Sequence, residues 1–256
     1  MPGIQEPELG HRHPMLEPHP TWADGDFVEP GLLAGVLPDV MIVELFADPP
    51  GIHLYPEEAD IVEHAVDKRR REFATVRLCA RTALSRIGIQ PGPILHDSSR
   101  APVWPDGVAG SMTHCPGYRA AAVARTTAVA SVGIDAEPNS ALPRGVEKMV
   151  ASADERRVLD RLTLSHPAVA WDMLLFSAKE STYKTWFPLM GRWLDFSDCT
   201  ITPAPERGTF RSSLHVPGPV VGGRRVDTFT GHWRTVVREG VEYVATGIVV
   251  PAGPRP

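Results

Sequence analysis

Apolar and polar positions along the chain switch between two periods, and the switches mark the elements. Val40-Met-Ile-Val-Glu-Leu-Phe46 has the pattern of a buried strand, and a helical pattern then runs from about Glu57 to Ile87, with one break, to a terminator at Gly88. Short strands are expected around Ile94, around Val103 and from Tyr118 to Ala124, followed by another over Ala128 to Asp135. Asp154 to Leu164 and Ala168 to Phe187 read as helices, with Pro188 just past the end of the second. Three strands complete the pattern. The last two, Thr228 to Val237 and Val241 to Val249, should form a hairpin turning at Arg238-Glu239-Gly240.

This order, strand, long helix, strands, then strand, helices, strands, describes two similar halves meeting near Ala130. A short echo agrees with duplication: aligning Phe73 with Phe176 pairs Arg77 with Glu180, Arg81 with Lys184 and Thr82 with Thr185. Polar groups four and eight residues after the phenylalanine would then line matching helix faces directed at a shared cleft. The fold class expected is α/β (α+β): two pseudo-symmetric lobes, each a small, mainly antiparallel sheet packed with a long helix. The N-terminal lobe is expected over residues 31–130 and the C-terminal lobe over 131–250. The first thirty residues carry six prolines and no sustained apolar period, so 1–30 reads as a flexible arm and 251–256 as a tail. His11, His13 and His19 lie in that arm and read as solvated histidines rather than a metal tract.

With 256 residues, 43% hydrophobic and 22% charged, the chain has the balance of a soluble globular protein. Apolar runs such as Ala120 to Ala124 fall far short of the roughly 18 residues that span a bilayer, and the amino end lacks a charged-then-apolar signal pattern. A cytoplasmic protein is therefore expected. Cys79, Cys115 and Cys199 are too scattered for a disulfide framework or a zinc site and read as reduced thiols. A net charge of −5 argues against a generic nucleic-acid binder. Locally the picture reverses, because Lys68 to Arg86 holds seven basic residues and one acid, Glu72. An anionic partner is expected there.

Three constellations carry chemistry. Asp135 and Glu137, two apart at the end of an extended run, project from one strand face and can grip a hard cation through oxygen, although such a pair alone is an ordinary solvated edge. Glu180 and Lys184 are i, i+4 neighbours on a helix flanked by Trp171, Leu174, Leu175, Phe176, Tyr183, Trp186 and Phe187. An exposed pair of this kind contributes only a few tenths of a kcal/mol, roughly 0.2–0.5, whereas a narrow charged stripe on a buried helix faces a cleft. Gly110-Ser-Met-Thr-His-Cys-Pro-Gly-Tyr118 places small and hydroxyl residues before a single His114. A hydrolase triad of Ser111, His114 and Asp135 is rejected, since Ser111 lacks the Gly-x-Ser-x-Gly elbow.

In this order and spacing, Ser111-Met-Thr-His114, Gly133-Ile-Asp-Ala-Glu137 and Phe176-Ser-Ala-Lys-Glu-Ser-Thr-Tyr-Lys184 resemble the three motifs of the Sfp-type (EntD-like) 4′-phosphopantetheinyl transferases. The similarity extends over Val40 to Trp193 and includes Lys68-Arg-Arg-Arg-Glu-Phe73 and Trp104-Pro-Asp-Gly107. It points to the single-chain, broad-specificity group that serves fatty-acid, polyketide and nonribosomal-peptide carriers. The resemblance implies a monomer that binds coenzyme A between its lobes and transfers 4′-phosphopantetheine to a carrier serine, releasing 3′,5′-ADP. Residue by residue it implies that Asp135 and Glu137 hold Mg²⁺ (or Mn²⁺) against the pyrophosphate, with Glu180 as third carboxylate or base. Lys184 faces the phosphates and the departing oxygen, Lys179 joins the coenzyme A contacts, Thr113 and His114 meet the nucleotide's phosphates, and Arg69 and Arg77 hold the 3′-phosphate region. Where the family places a lysine after the Pro-Ile-Leu strand, this chain has His96, whose phosphate contact would weaken above a pH of about 6.5. Coenzyme A and carrier proteins are the expected partners, with no nucleic acid and no membrane. A catalytically silent carrier-binding module or a nucleotide-binding module is the alternative.

Overall fold

The computed structural model describes residues 31–34 and 36–253. The expected arm over 1–30, with its three histidines, and the last three residues of the expected tail lie outside them. In chain order the elements are β1 (Met41–Leu45), α1 (Pro56–Ile61), α2 (Asp67–Arg86), β2 (Val108–Cys115), β3 (Tyr118–Arg125), β4 (Val129–Pro138), α3 (Glu147–Val150), α4 (Ala153–Ser165), α5 (Trp171–Met190), β5 (Cys199–Ala204), β6 (Thr209–Leu214), the two-residue β7 (Val220–Val221) and β8 (Arg224–Arg225), β9 (Thr228–Arg238) and β10 (Val241–Pro251). They form a three-stranded sheet ordered β1-β3-β2 and a five-stranded sheet ordered β4-β10-β9-β6-β5, with a small β7-β8 ribbon. Every pairing is antiparallel.

The continuous apolar run of β3 is explained by burial on both faces. Ala121 and Val123 face α2, packing with Val43, Cys79, Ala80, Ala83 and Leu84. Ala120, Ala122 and Ala124 face the other way, into a core shared with Val132, Ile134 and Ala136 of β4 and Ala245 of β10. The small side chains on that face let the two sheets approach closely, so the lobes share one core rather than merely touching. Leu32 and Leu33 are fully buried in it, each contributing about 1.5–3 kcal/mol of apolar burial. Glu44, buried on β1, secures them by accepting hydrogen bonds from the Leu32 amide at 2.6 Å, the Leu33 amide at 2.9 Å and the Tyr118 hydroxyl at 2.6 Å. The third core packs α4 and α5 against the five-stranded sheet through Leu159, Trp171, Leu174, Leu175, Phe210 and Phe229.

Most element expectations hold, but β2 lies where no strand is expected and six strands, two of them only two residues long, follow α5 where three are expected; the other exceptions have local causes. The long first helix is broken between Ile61 and Asp67, and Gly88 follows it with φ +71°. Around Ile94 and Val103 there is a loop with an isolated His96–Pro102 bridge instead of two strands. Pro91, Pro93 and Pro102 lack the amide protons a ladder needs. α5 runs through Pro188 to Met190 and ends at Gly191 with φ +61°. At that point in the last turn, proline sacrifices a single backbone bond. The final hairpin turns at Glu239 and Gly240, both at positive φ, and β10 includes Pro251, the first residue of the expected tail.

Candidate active site

The site begins with a glycine. Gly133 lies on β4 where α5 crosses it, and a Cβ there would collide with the Ser181 carbonyl and the Thr185 hydroxyl. Only glycine allows this approach. The small hydroxyl residues along α5 serve the same contact: Ser181 bonds the Thr246 side chain at 2.6 Å, and Thr185 accepts at its carbonyl from Ser131 at 2.8 Å. With the helix held this close, Lys184 Nζ reaches Asp135 Oδ1 at 2.7 Å and the Ile134 carbonyl at 3.1 Å.

β2 supplies the other wall. Its hydroxyls alternate, and both cross to β4: Ser111 Oγ accepts from the Ile134 amide at 3.1 Å, and Thr113 Oγ1 accepts from the Ala136 amide at 3.3 Å. Thr113 also donates to Asp135 Oδ1 at 3.2 Å. One oxygen of Asp135 is therefore held by Lys184 and Thr113, while Oδ2 is buried with no hydrogen-bond partner.

Excess negative charge surrounds that oxygen. Burial, then Asp135, then Glu180 push the Glu137 carboxyl up to about 7, with Lys184 opposing. Glu180 is also raised, by burial first and by Asp135, again against Lys184. Among the described residues no three His, Cys, Asp or Glu side chains already form a metal cage. The free Oδ2 beside two carboxyls that resist ionisation is nonetheless a hard-oxygen donor set with more negative charge than its protein partners balance. Such a set fits a divalent cation of the Mg²⁺ or Mn²⁺ class.

A cleft of about 1030 Å³ opens beside this group, lined by Arg69, Arg77, His96, His114, Tyr183 and Lys184 among others. Arg77 is buried with its guanidinium 3.5 Å from the centre of the Phe73 ring, and its Nε has no partner. Burial, outweighing Glu58, lowers it to about 10, so it stays charged at neutral pH. Arg69 contacts His114 Nε2. Burial, then Arg69, Arg119 and Lys184, lower His114 to about 4. It is accordingly a neutral imidazole that accepts from Arg69 at Nε2 and carries its proton on Nδ1. Tyr183 adds an aromatic edge, 4.8 Å from the ring of exposed Trp193 and 5.7 Å from Phe187.

The structure thus brings Asp135, Thr113 and Lys184 into direct contact, sets Glu137 and Glu180 within electrostatic reach, and places Arg69, Arg77, His96 and His114 on the neighbouring cleft wall. Two expectations change. Lys179 is not a cleft residue: at 2% exposure its ammonium is bound by the Val150 carbonyl, Glu155 and the Phe196 carbonyl at 2.8, 3.0 and 2.7 Å. Adjacent helical positions do not share a face, so Glu180 facing the site turns Lys179 into the core. Thr113 is buried with its hydroxyl committed to Asp135 and Ala136, so its side chain positions the carboxylate instead of meeting a nucleotide. Arg81, which the helix echo directs to the cleft, is instead buried against Glu58. Ser111 has no expected role beyond a rejected nucleophile and a place in the first motif, and its spacing of two from Thr113 is the signal for the second bond to β4. Glu72, the lone acid in the basic run, has no expected role either.

Comparison with known proteins gives the family. Residues 57–124 match the family profile described as 4′-phosphopantetheinyl transferase N-terminal domain, and residues 131–245 match that of the 4′-phosphopantetheinyl transferase superfamily. The chain is 52% identical over 226 residues to the 4′-phosphopantetheinyl transferase Svp of Streptomyces mobaraensis, covering 87% of this chain and 91% of the relative. It is 45% identical over 230 residues to the 4′-phosphopantetheinyl transferase PptT of Mycobacterium tuberculosis, covering 88% and 99%. Enterobactin synthase component D of Salmonella typhi matches at 35% over 127 residues, about half of each chain (49% and 51%). The chain belongs to the 4′-phosphopantetheinyl transferases, the enzymes that move phosphopantetheine from coenzyme A to carrier proteins.

Proposed function

We propose that Asp135 and Glu137 hold Mg²⁺ against the coenzyme A pyrophosphate, and that Glu180, as the base, and Lys184 carry the proton and charge traffic of the transfer. The observation that carries this reading is the buried, unpartnered Asp135 Oδ2, whose other oxygen is already committed to Lys184 and Thr113. When bound, the cation supplies positive charge to the phosphoryl oxygens.

The chain's own residues supply the rest. The carrier serine hydroxyl attacks phosphorus, a new ester bond forms, and the bond to 3′,5′-ADP breaks. Glu180, whose carboxyl is raised above the usual carboxylate range by burial and so holds a proton more readily, takes the hydroxyl proton. Lys184 is 26% exposed at the cleft floor and sets its ammonium toward the charge that builds on the phosphoryl and leaving oxygens. On the first lobe, Arg69, Arg77 and His114 meet the nucleotide phosphates, and His96 extends that wall. Support for the 3′-phosphate reading of Arg77 comes from its buried, unpartnered Nε beside an open cleft.

The natural acceptors in this reading are carriers of fatty-acid, polyketide and nonribosomal-peptide assembly. Both halves of the site come from one chain, which supports action as a monomer. Three buried, unpaired cysteines suit a reducing, cytoplasmic setting. Among the described residues no helix is long and apolar enough to cross a membrane.

Mass spectrometry of an apo-carrier incubated with the enzyme and coenzyme A tests the reading. The carrier should gain one phosphopantetheine with Mg²⁺ and remain unmodified after chelation. Equal modification in the chelated sample removes the metal from the scheme, and no modification with Mg²⁺ leaves only carrier or nucleotide binding.

A further inference from the structure

A buried carboxylate on the wall that receives an anionic substrate calls for a reason. Glu72 lies on α2 one turn after Arg69 and lines the cleft at 9% exposure. One of its oxygens is 3.3 Å from Arg119 Nη2 and 3.9 Å from Lys68 Nζ, and the other is 3.9 Å from His114 Nε2. Arg119, on β3 directly opposite His114 in the β2–β3 register, is itself 4% exposed. Asp48 clamps it through two bonds of 3.0 and 2.8 Å, and it also donates to the Cys115 and Tyr118 carbonyls. Asp48, Arg119 and Glu72 are therefore joined by ion pairs from the loop after β1 across β3 to α2, and Glu72 stands 3.9 Å from His114 Nε2, the atom that accepts from Arg69. His114 and Arg69 both line the cleft.

We propose that Glu72, held by Arg119, is a positioning residue for coenzyme A: its charge, one turn after Arg69 and close to His114 Nε2, draws the Arg69 guanidinium onto that nitrogen in the arrangement that receives the substrate's phosphates. This inference rests on the assignment of Arg69 and His114 to those phosphates. Arg69 is a long side chain on an exposed part of α2, and its bond to His114, beside the Glu72 charge, restricts it before substrate arrives. Restriction of that kind removes part of the ordering cost of binding. The sign of the effect separates positioning from repulsion. A negative charge 3.9 Å from a phosphate-facing histidine opposes an anion, so if repulsion were its whole role, removing it would tighten binding. Positioning predicts the reverse.

The test measures dissociation constants for coenzyme A on the full chain by calorimetry, with steady-state kinetics alongside, for wild type, Arg69→Ala, Glu72→Gln and Glu72→Asp. Glu72→Gln should bind roughly 10-fold more weakly, the lower end for loss of an outer-layer partner, with the loss in KM for coenzyme A and not in kcat. Glu72→Asp keeps the charge and withdraws the carboxylate by one methylene, so it should fall between and serves if the glutamine variant does not fold. Weakened binding by Arg69→Ala together with equal or tighter binding by Glu72→Gln overturns the positioning role and leaves the phosphate assignment standing. Wild-type affinity in Glu72→Asp, where Glu72→Gln cannot be purified, overturns it equally. Unchanged affinity in Arg69→Ala overturns the phosphate assignment itself, and the proposal with it.

Discussion

Two cation–carboxylate pairs of the same length, 2.7 Å, stand at matching places in the two lobes. Arg81 lies eight residues after Phe73 on α2 and meets Glu58, and Lys184 lies eight residues after Phe176 on α5 and meets Asp135. The first pair is closed. Glu58 also accepts from the Tyr55 amide at 3.2 Å and the Ile94 amide at 2.9 Å, so both its oxygens are occupied, and exposure is 5% and 0% for the two side chains. The second pair is open, with a partly exposed lysine and a carboxylate oxygen lacking a partner. Matching helix positions thus hold a closed structural clamp in one lobe and an open pair at the cleft in the other. The difference is made by the number of partners around the acid, not by the length of the ion pair.

The comparison breaks most sharply by removing each acid. Asp135→Ala should lower transfer by at least about 10³-fold, the upper range for loss of one preorganised electrostatic group, while melting close to wild type, because Lys184 can extend into the cleft. Glu58→Ala should do the opposite. It strands a buried guanidinium and should cost about 3–5 kcal/mol of stability, read as a fall in Tm, with activity per folded molecule largely kept. An Asp135→Ala enzyme that modifies an apo-carrier at near wild-type rate, or a Glu58→Ala protein of unchanged Tm, would erase the distinction.

Smaller changes sharpen it. Glu180→Gln should reduce turnover by about 10²-fold with coenzyme A binding much less affected; calorimetry showing lost binding at unchanged turnover would make Glu180 a ligand instead. Arg77→Ala should shrink the preference for coenzyme A over dephospho-coenzyme A, which a charge-assisted bond worth about 1.5–3 kcal/mol sets at roughly 10–150-fold. Equal wild-type affinity for the two ligands would sink that role. The smallest effect concerns acid stability. The folded protein refuses a proton at His114 until about pH 4, whereas the unfolded chain accepts one near 6.5. Its contribution is complete above about 6.5 and lost as pH falls toward 4, so His114→Gln should flatten the decline of Tm across that window. A decline as steep as in wild type would place its origin elsewhere.

How far the sequence reached depended on whether a feature was local. The period-two spacing of Asp135 and Glu137, the hairpin at Glu239-Gly240 and the buried run of β3 are properties of a few consecutive residues, and each was legible. Pairings across the chain were not. Nothing near Arg81 indicates Glu58, 23 residues earlier, and the helix echo sent Arg81 to the wrong side. Lys179 failed for a related reason: with Ser177, Ser181, Thr182 and Thr185 all buried, polarity along α5 did not mark its exposed face. The strands expected near Ile94 and Val103 fail because Pro91, Pro93 and Pro102, beside those apolar residues, take donors away from any ladder. His96 stands on the cleft wall as expected, but its partner is a backbone carbonyl, Asp97 O at 3.1 Å.

The crossing from β2 to β4 has a mechanical meaning. Ser111 and Thr113 engage Ile134 and Ala136 at the same sequence offset, so two side-chain oxygens do the work that a run of backbone carbonyls does elsewhere in the sheets. The junction is a two-pin coupling set directly against Asp135. Replacing the pins, Ser111→Ala and Thr113→Val, should leave each sheet's own ladder intact and release the shaft that keeps the Arg69 and His114 wall in register with the carboxylates. The amides of Ile134 and Ala136 are therefore the gauges of lobe alignment, and loss of their protection from hydrogen exchange would register slippage before either half of the molecule unfolds.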